Sequence, residues 1–240
     1  MAQRLEATGL RVVAMNQRGY SPGARPTDVA AYALPNLIAD VVAMIEALST
    51  ASGGSVHLVG HDWGGVVGWQ VAARRPDLVR TWTAVSTPHQ AALNEVLARD
   101  AAQRERFGYI LKFREQGAAE AMLLAHDGAG LKTMYGGFVP QEQVAGDVAF
   151  FSEPGVLTAA LSWYRAMGLD DPGELPRVTV PTSYIWGSGD PAFGVEAAEL
   201  TGSYVDAPYR FVALEGASHW LPDEAADTLA EVITERVASA

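Results

Sequence analysis

The chain has 240 residues, enough for one α/β domain with an inserted subdomain but not for two large domains. Its formal charge of −11 disfavours binding to nucleic acid or an anionic membrane surface, and no apolar run approaches the roughly 20 residues of a membrane span. Because the chain has no cysteine, disulfides and thiolate chemistry are excluded. The first residues show no export or transit signal, so we expect a cytoplasmic protein.

Short apolar runs bounded by polar residues or glycine predict five buried strands. They lie at residues 12–15, 56–59, 82–85, 182–186 and 211–214. Helical periodicity is seen at residues 37–48, behind a cap expected at Asn36, and at residues 64–74 and 223–237. Alternating strands and helices predict an α/β fold with a mostly parallel, doubly wound sheet.

The strand pattern disappears between about residues 89 and 170. Helix-like stretches at 93–106, 118–126 and 156–167 are joined there by turns that contain Gly and Pro. We interpret residues 89–170 as an α-helical lid, inserted after the strand that ends near Ser86. Residues 1–88 and 171–240 would then form the sheet domain.

The sequence from Gly60 to Gly65, Gly-His-Asp-Trp-Gly-Gly, follows a predicted strand and opens a helix, as a nucleophile elbow does. Asp62 would be the nucleophile, with its carboxylate favoured by the helix N-terminus and the Trp63 amide available to an oxyanion. A dinucleotide-binding loop needs glycine at the position of Asp62. An ordinary helix N-cap remains an alternative for this Asp.

Two further residues stand after predicted strands. Asp190 lies in Gly-Ser-Gly-Asp-Pro and His219 in Gly-Ala-Ser-His-Trp. By itself Asp190 could be a turn residue ahead of Pro, and His219 an incidental loop residue. However, Asp62, Asp190 and His219 occur in the chain order of nucleophile, acid and base, each where an α/β sheet binds ligands.

Several motifs together resemble the α/β-hydrolase superfamily and, within it, the epoxide hydrolases. These are Asn-Gln-Arg-Gly-Tyr-Ser at 16–21, the elbow, Ser-Thr-Pro-His at 86–89, and the Asp190 and His219 loops. The resemblance runs from nearly the first residue to the last helix. The elbow with Trp after Asp is shared with haloalkane dehalogenases, so it does not choose between the two groups.

Two lid tyrosines favour the epoxide hydrolases. The resemblance implies one tyrosine in an aromatic stretch and another in a Trp-Tyr-Arg motif, which match Tyr109 and Tyr164 here. The sequence departs from the family at Gln116, where Pro is common, and at Ser162, where Asn is frequent. The alternative for each tyrosine is a core position with a satisfied hydroxyl.

The resemblance implies a two-step hydrolysis of a small apolar epoxide to a vicinal diol, without metal or organic cofactor. Asp62 would attack carbon while Tyr109 and Tyr164 bind the ring oxygen, and His219, oriented by Asp190, would then activate water. A detoxifying role and a homodimer are compatible with this interpretation. A haloalkane or haloacid dehalogenase and a truncated, non-catalytic ligand-binding protein remain alternatives.

The family also has strands ahead of residue 12, one of which ends in a His-Gly-x-Pro turn that supplies a second oxyanion amide. No such turn occurs in this sequence. In the family that strand pairs between those at residues 12–15 and 56–59, so its absence predicts an unpaired gap in the sheet. We expect a start codon placed too late, or a partial chain, to be the explanation.

Overall fold

A computed structural model describes residues 1–52 and 54–240 and contains a four-stranded parallel sheet. Its strands are β1 (Val56–His61), β2 (Val79–Val85), β3 (Thr182–Gly187) and β4 (Tyr209–Leu214), paired in the order β1-β2-β3-β4. Four of the five predicted strands are therefore confirmed. Since all four run in the same direction, their carboxyl ends lie at one edge of the sheet.

Twelve helical segments are formed by the described residues, and one of them, Ala118–Met134, is interrupted by a kink at residues 125–128, where the backbone angles are not helical. They are α1 (Ala2–Glu6), α2 (Leu34–Ser52), α3 (Trp63–Arg74), α4 (Gln90–Arg99), α5 (Ala101–Arg106), α6 (Gly108–Phe113), α7 (Ala118–Met134), α8 (Gln141–Phe151), α9 (Val156–Arg165), α10 (Val195–Leu200), α11 (Leu221–Glu224) and α12 (Ala226–Ala238). Short 3₁₀ helices span Val29–Tyr32 and Thr201–Tyr204. The cap expected at Asn36 is wrong, because α2 begins at Leu34 and the Asn36 amide donates to the Ala30 carbonyl.

The predicted strand at residues 12–15 is also wrong. Leu10 and Val12 pack against an apolar cluster that includes Val85 and Ile185, whereas Val13 is 48% exposed. The alternation suits an extended chain, but none of the four described strands pairs with this segment. Burial of alternate side chains therefore occurs here without a hydrogen-bonded ladder, and β1 lies at an edge of the described sheet.

Helices pack on both faces of the sheet. The Trp82 ring of β2 faces α3, where its centroid lies 5.6 Å from that of Trp69. Val85, which points to the opposite side of β2, belongs to the cluster formed with Leu229 and Ile233 of α12. This arrangement is that of a doubly wound sheet and agrees with the predicted fold class.

Two predicted helices are each divided in two. The stretch predicted as one helix at 93–106 breaks at Asp100, which is extended and whose carboxylate accepts from the backbone N–H groups of Ala102 and Gln103. The stretch at 223–237 breaks at Ala225, between α11 and α12. An Asp that caps a new helix interrupts apolar periodicity only locally, so the periodicity alone did not indicate the first break.

The chain divides into two compact units. The first contains Met1–Ala14, Ile38–Arg106 and Pro172–Ala240, and the second contains Met15–Leu37 and Phe107–Asp171. The second unit has its own apolar cluster, formed by buried side chains of α6, α7 and α9. Whether residues 89–170 act as a lid is a question of function, so the lid stays a prediction.

Within the described residues, no single helix is long and apolar enough to cross a membrane. Helices α8 and α9, which are bent by 87° relative to each other, are long and apolar enough only when taken together, and only by length and composition.

Candidate active site

Asp62 occupies a strained turn between β1 and α3. Its φ of 52° lies in the left-handed region, which is uncommon for a residue other than glycine and which an ordinary N-cap does not adopt. The sharp turn brings strand and helix so close that a Cβ on Gly60 would lie 2.3 Å from the carbonyl oxygen of Gly64. The backbone N–H of Trp63 donates to Oδ2 of Asp62. These features are those of a nucleophile elbow.

Three predicted site residues from separate strand ends meet in the first unit. Nδ1 of His219 lies 2.8 Å from Oδ2 of Asp190, and its Nε2 lies 3.0 Å from Oδ1 of Asp62. Asp190 is buried, and its Oδ1 accepts from the backbone N–H groups of Ala192, at 2.7 Å, and Phe193, at 3.1 Å. The imidazole therefore bridges two carboxylates, one held by the backbone and one partly exposed at the elbow.

The carboxylates of Asp62 and Asp190 shift the pKa of His219. Burial by itself would lower the pKa of His219, but the hydrogen bonds and negative charges of Asp190 and Asp62 raise it well above its usual value. The loss of water around Asp62 would raise the pKa of that carboxyl, but the hydrogen bond and the charge of His219 reverse the shift and lower it. Both shifts favour a protonated His219 beside an ionised Asp62.

The loop that carries His219 is anchored through its own backbone. The His219 carbonyl oxygen accepts from Nε2 of His61 and from Oγ of Ser86, each at 2.8 Å. Burial, followed by the charge of His219, lowers the pKa of His61 to about 4, so this ring is neutral and its Nε2 carries the proton. On the other side of the loop, Glu224 accepts from the N–H and hydroxyl groups of Ser218.

The two predicted tyrosines lie together in the second unit. Tyr109 is on α6 and Tyr164 on α9, and their ring centroids are 6.1 Å apart at 76°. The Phe113 ring lies 5.2 Å from the first and 5.1 Å from the second, so the three rings form one aromatic group. Arg165, next to Tyr164, is bound in bidentate fashion by Glu120, which links α9 to α7. Both tyrosines are partly buried, so each ring also contributes to the packing of the second unit.

No cluster of three or more His, Asp or Glu side chains with metal-binding geometry occurs in the described part of the chain.

A model of the alpha/beta hydrolase family matches residues 2–232. The chain belongs to this family. Epoxide hydrolase 4 of Mus musculus is 31% identical over 227 residues, which cover 90% of this chain and 62% of that protein. Epoxide hydrolase A of Mycobacterium tuberculosis is 29% identical over 275 aligned residues, which cover 96% of this chain and 84% of that protein.

Solved structures give the same picture. The crystal structure of an epoxide hydrolase from Bacillus megaterium, in complex with an inhibitor, superposes with a TM-score of 0.81 at 25% identity, over 92% of this chain and 82% of that one. The predicted α/β-hydrolase fold and the resemblance to epoxide hydrolases are confirmed. The chain spans less than two thirds of the length of the two mammalian epoxide hydrolase 4 proteins that it matches, at 62% and 64%.

In this alpha/beta hydrolase, sequence motifs identified Asp62, Asp190 and His219 but not the residues that hold them. His61 stands inside the elbow motif and Ser86 inside Ser-Thr-Pro-His, yet no spacing indicated that both would contact the carbonyl of one residue more than 130 positions away. The positive φ of Ser86, 64°, likewise had no signal in the sequence. Such contacts between distant parts of the chain become visible only in the fold.

Proposed function

We propose that this alpha/beta hydrolase converts an epoxide to a vicinal diol through a covalent ester on Asp62. The observation that carries the proposal is the bridge from Asp62 through His219 to Asp190, with a carboxylate at the elbow position where an esterase has serine. A carboxylate attacks an electrophilic carbon and leaves an ester that a neighbouring base can hydrolyse. The similarity to epoxide hydrolases supports an epoxide as the electrophile.

In the first step, Oδ1 of Asp62 forms a bond to an epoxide carbon while the bond from that carbon to the ring oxygen breaks. The electron pair moves to the ring oxygen, which takes a proton from Tyr109 or Tyr164. The other tyrosine donates a hydrogen bond to the same oxygen. Because the pKa of Asp62 is lowered, the nucleophile is ionised at neutral pH without a separate base. The product is a hydroxyalkyl ester.

Formation of the ester changes the pKa of His219, the proposed base. It removes the negative charge of Asp62 and the hydrogen bond that this carboxylate accepts, two of the contributions that raise the pKa of His219. The pKa of His219 therefore falls, and the imidazolium releases a proton that restores the tyrosine through solvent. The neutral imidazole, still held by Asp190 at Nδ1, is then able to accept a proton from water at Nε2.

In the second step, this water adds its hydroxyl to Cγ of the Asp62 ester as His219 takes the proton. The oxyanion develops on Oδ2, the atom that already accepts the Trp63 N–H. Collapse breaks the bond between Cγ and the oxygen of the substrate, which takes up the proton of the hydroxyl that water added to Cγ and leaves as the diol, so that Asp62 is again a carboxylate. The imidazolium between two carboxylates is regenerated.

The decisive experiment is mass spectrometry of the protein after exposure to a panel of small apolar epoxides and matched primary haloalkanes. A hydroxyalkyl adduct on the peptide that contains Asp62, followed by diol release, supports the proposal. Halide release through an alkyl adduct, with no diol from any epoxide, supports the dehalogenase. Ligand binding without adduct or turnover supports a non-catalytic binding protein.

The proposal includes a lid at residues 89–170 that brings Tyr109 and Tyr164 to the epoxide oxygen. Solution of a complex with a non-reactive epoxide analogue tests this part, since both hydroxyls should then lie within hydrogen-bond distance of the analogue's oxygen. A homodimer, a detoxifying role and a cytoplasmic location stay predictions.

A further inference from the structure

Gln103 on α5 contacts the loop that carries Asp190, although it has no place in the steps above. Its side chain is 1% exposed, its Nε2 donates to the carbonyl oxygen of Ala192 at 2.7 Å, and its Oε1 accepts from the N–H of Gly194 at 2.9 Å. A buried amide with both ends satisfied by one short loop fixes that loop strongly, because breaking either bond leaves a buried polar group unpaired.

The loop transmits this contact to the carboxylate through a single peptide group. The carbonyl of Ala192, which Gln103 binds, and the N–H of Phe193 belong to the same peptide unit, and that N–H donates to Oδ1 of Asp190. Gln103 and Asp190 therefore hold opposite ends of one rigid, planar group. Hydrogen bonds arranged in such a chain also polarise one another, so each strengthens the next.

We propose that Gln103 is a positioning residue for Asp190 and, through it, for the orientation of His219, an inference that rests on the proposed function. Oδ1 of Asp190 takes the backbone donors, which leaves Oδ2 aimed at Nδ1 of His219. Arg106, also on α5, donates to the carbonyls of Asp190 and Pro191 and supports the same loop from its other end. Through Gln103 and Arg106, α5 thus holds the loop that carries Asp190.

The contact of Gln103 with the Asp190 loop should affect the two chemical steps differently. The first step needs an ionised Asp62 and a proton donor, whereas the second needs Nε2 of His219 aimed at water, an orientation that Asp190 maintains. A disturbance of Gln103 should therefore slow hydrolysis of the ester far more than its formation. A merely structural role would lower stability and affect both steps alike.

Gln103→Met tests this, because Met fills a similar volume without the amide. In single-turnover mass spectrometry we expect the ester to form at nearly the wild-type rate and to hydrolyse about 10-fold to 100-fold more slowly, as is typical for a misplaced catalytic group. The matched control is Gln70→Met, another buried glutamine of the same unit, which bonds to Gln90 and Arg74. That control should lose thermal stability without a change in the ratio of the two rates.

A second readout does not depend on turnover. The Nδ1 proton of His219, in its hydrogen bond with Asp190, should appear at low field in the ¹H NMR spectrum, and Gln103→Met should shift or broaden it while Gln70→Met should not. If the wild type forms no ester with any epoxide, the proposed function fails, yet this signal still decides the role of Gln103. An unshifted signal, or equal slowing of both steps, would overturn the inference.

Two further variants complete the test. In an Asp190→Asn background, Gln103→Met should slow hydrolysis little further, because both changes act through the same carboxylate; fully additive effects would contradict the inference. If Gln103→Met does not fold, Gly194→Ala replaces it in the test. Its added methyl group would lie 3.2 Å from Oε1 of Gln103 and disturb the hydrogen bond between Gln103 and the loop. It should reproduce the selective slowing of ester hydrolysis, and an unchanged ratio of the two rates would count against the inference.

Discussion

Nε2 of His219 lies 3.0 Å from Oδ1 of Asp62, so the predicted base and the predicted nucleophile are joined by one hydrogen bond in the resting protein. This contact lowers the pKa of the carboxyl and contributes to the raised pKa of the imidazole. The two groups are therefore each charged at rest, and neutralising one of them changes the other.

Replacing Asp62 should consequently shift the titration of His219. In Asp62→Asn the anion that helps to raise the pKa of His219 is absent, so the imidazole should lose its proton at lower pH than in the wild type. The contact with Asp190 remains and keeps part of the shift. Titration by ¹H–¹⁵N NMR measures both pKa values; an equal or higher value in the variant contradicts this account.

The same Asp62→Asn variant should form no adduct and release no diol, because a neutral amide is not a competent nucleophile towards an epoxide carbon. Mass spectrometry must first exclude conversion of the amide back to Asp. Near-normal turnover by a protein verified as Asn would remove Asp62 from the mechanism.

His219→Gln should stop ester hydrolysis, since the base acts on water and not on the epoxide, and should slow ester formation much less, through loss of the positive charge that helps to lower the Asp62 pKa. The covalent adduct should approach one equivalent per chain and persist. Slow consumption of substrate without any build-up of adduct would speak against a two-step mechanism.

Tyr109→Phe combined with Tyr164→Phe should reduce diol formation by about 10²- to 10⁴-fold, the usual contribution of a general acid, while substrate binding changes much less. The rings and their packing with Phe113 are retained. The assay compares a styrene-oxide-like epoxide with a matched primary haloalkane. Halide release that exceeds diol formation in the wild type, and that survives in the double variant, would favour the dehalogenase.

Gly68→Ala should destabilise the sheet unit by about 1–3 kcal/mol through overpacking. The added methyl would lie 2.0 Å from the Trp82 ring, which α3 packs against. Gly146→Ala, on an exposed site of α8 with no atom within 4 Å of the new methyl, is the matched control and should be neutral or slightly stabilising. Chemical denaturation compares the two; equal stabilities would refute the packing argument.

Much of the fold was predictable because its signals are local. The four paired strands are apolar runs, and α3 follows the elbow directly, so sequence alone located them and placed Asp62, Asp190 and His219 after their ends. The segment at residues 12–15 has the same local signal but lacks a paired neighbour, and pairing is a property of distant parts of the chain. The strand prediction failed there for that reason.

The residues that hold the predicted site residues in place were not predictable from sequence. A glutamine within α5 looks like any polar helix residue until the fold places it against the loop at 192–194. The same holds for His61 and Ser86, whose common partner is a backbone carbonyl, an atom that every residue has. Side chains that act through backbone atoms carry no motif, since the sequence of the partner is irrelevant to the contact.

The position of β1 at an edge of the described sheet affects the dynamics of Asp62. Across the described residues, β1 pairs with β2 alone, whereas β2 and β3 each have strands on both sides. Amide protons at such an edge exchange with solvent through small local openings, which require less free energy than opening of the sheet centre. Asp62 directly follows this edge strand, and His219 follows the other edge strand of the described sheet, β4, which pairs there with β3 alone, whereas Asp190 follows β3, which is paired on both sides. Mild denaturant should therefore disorder the loops of Asp62 and His219, the proposed nucleophile and base, before that of Asp190, and loss of activity should precede loss of the sheet.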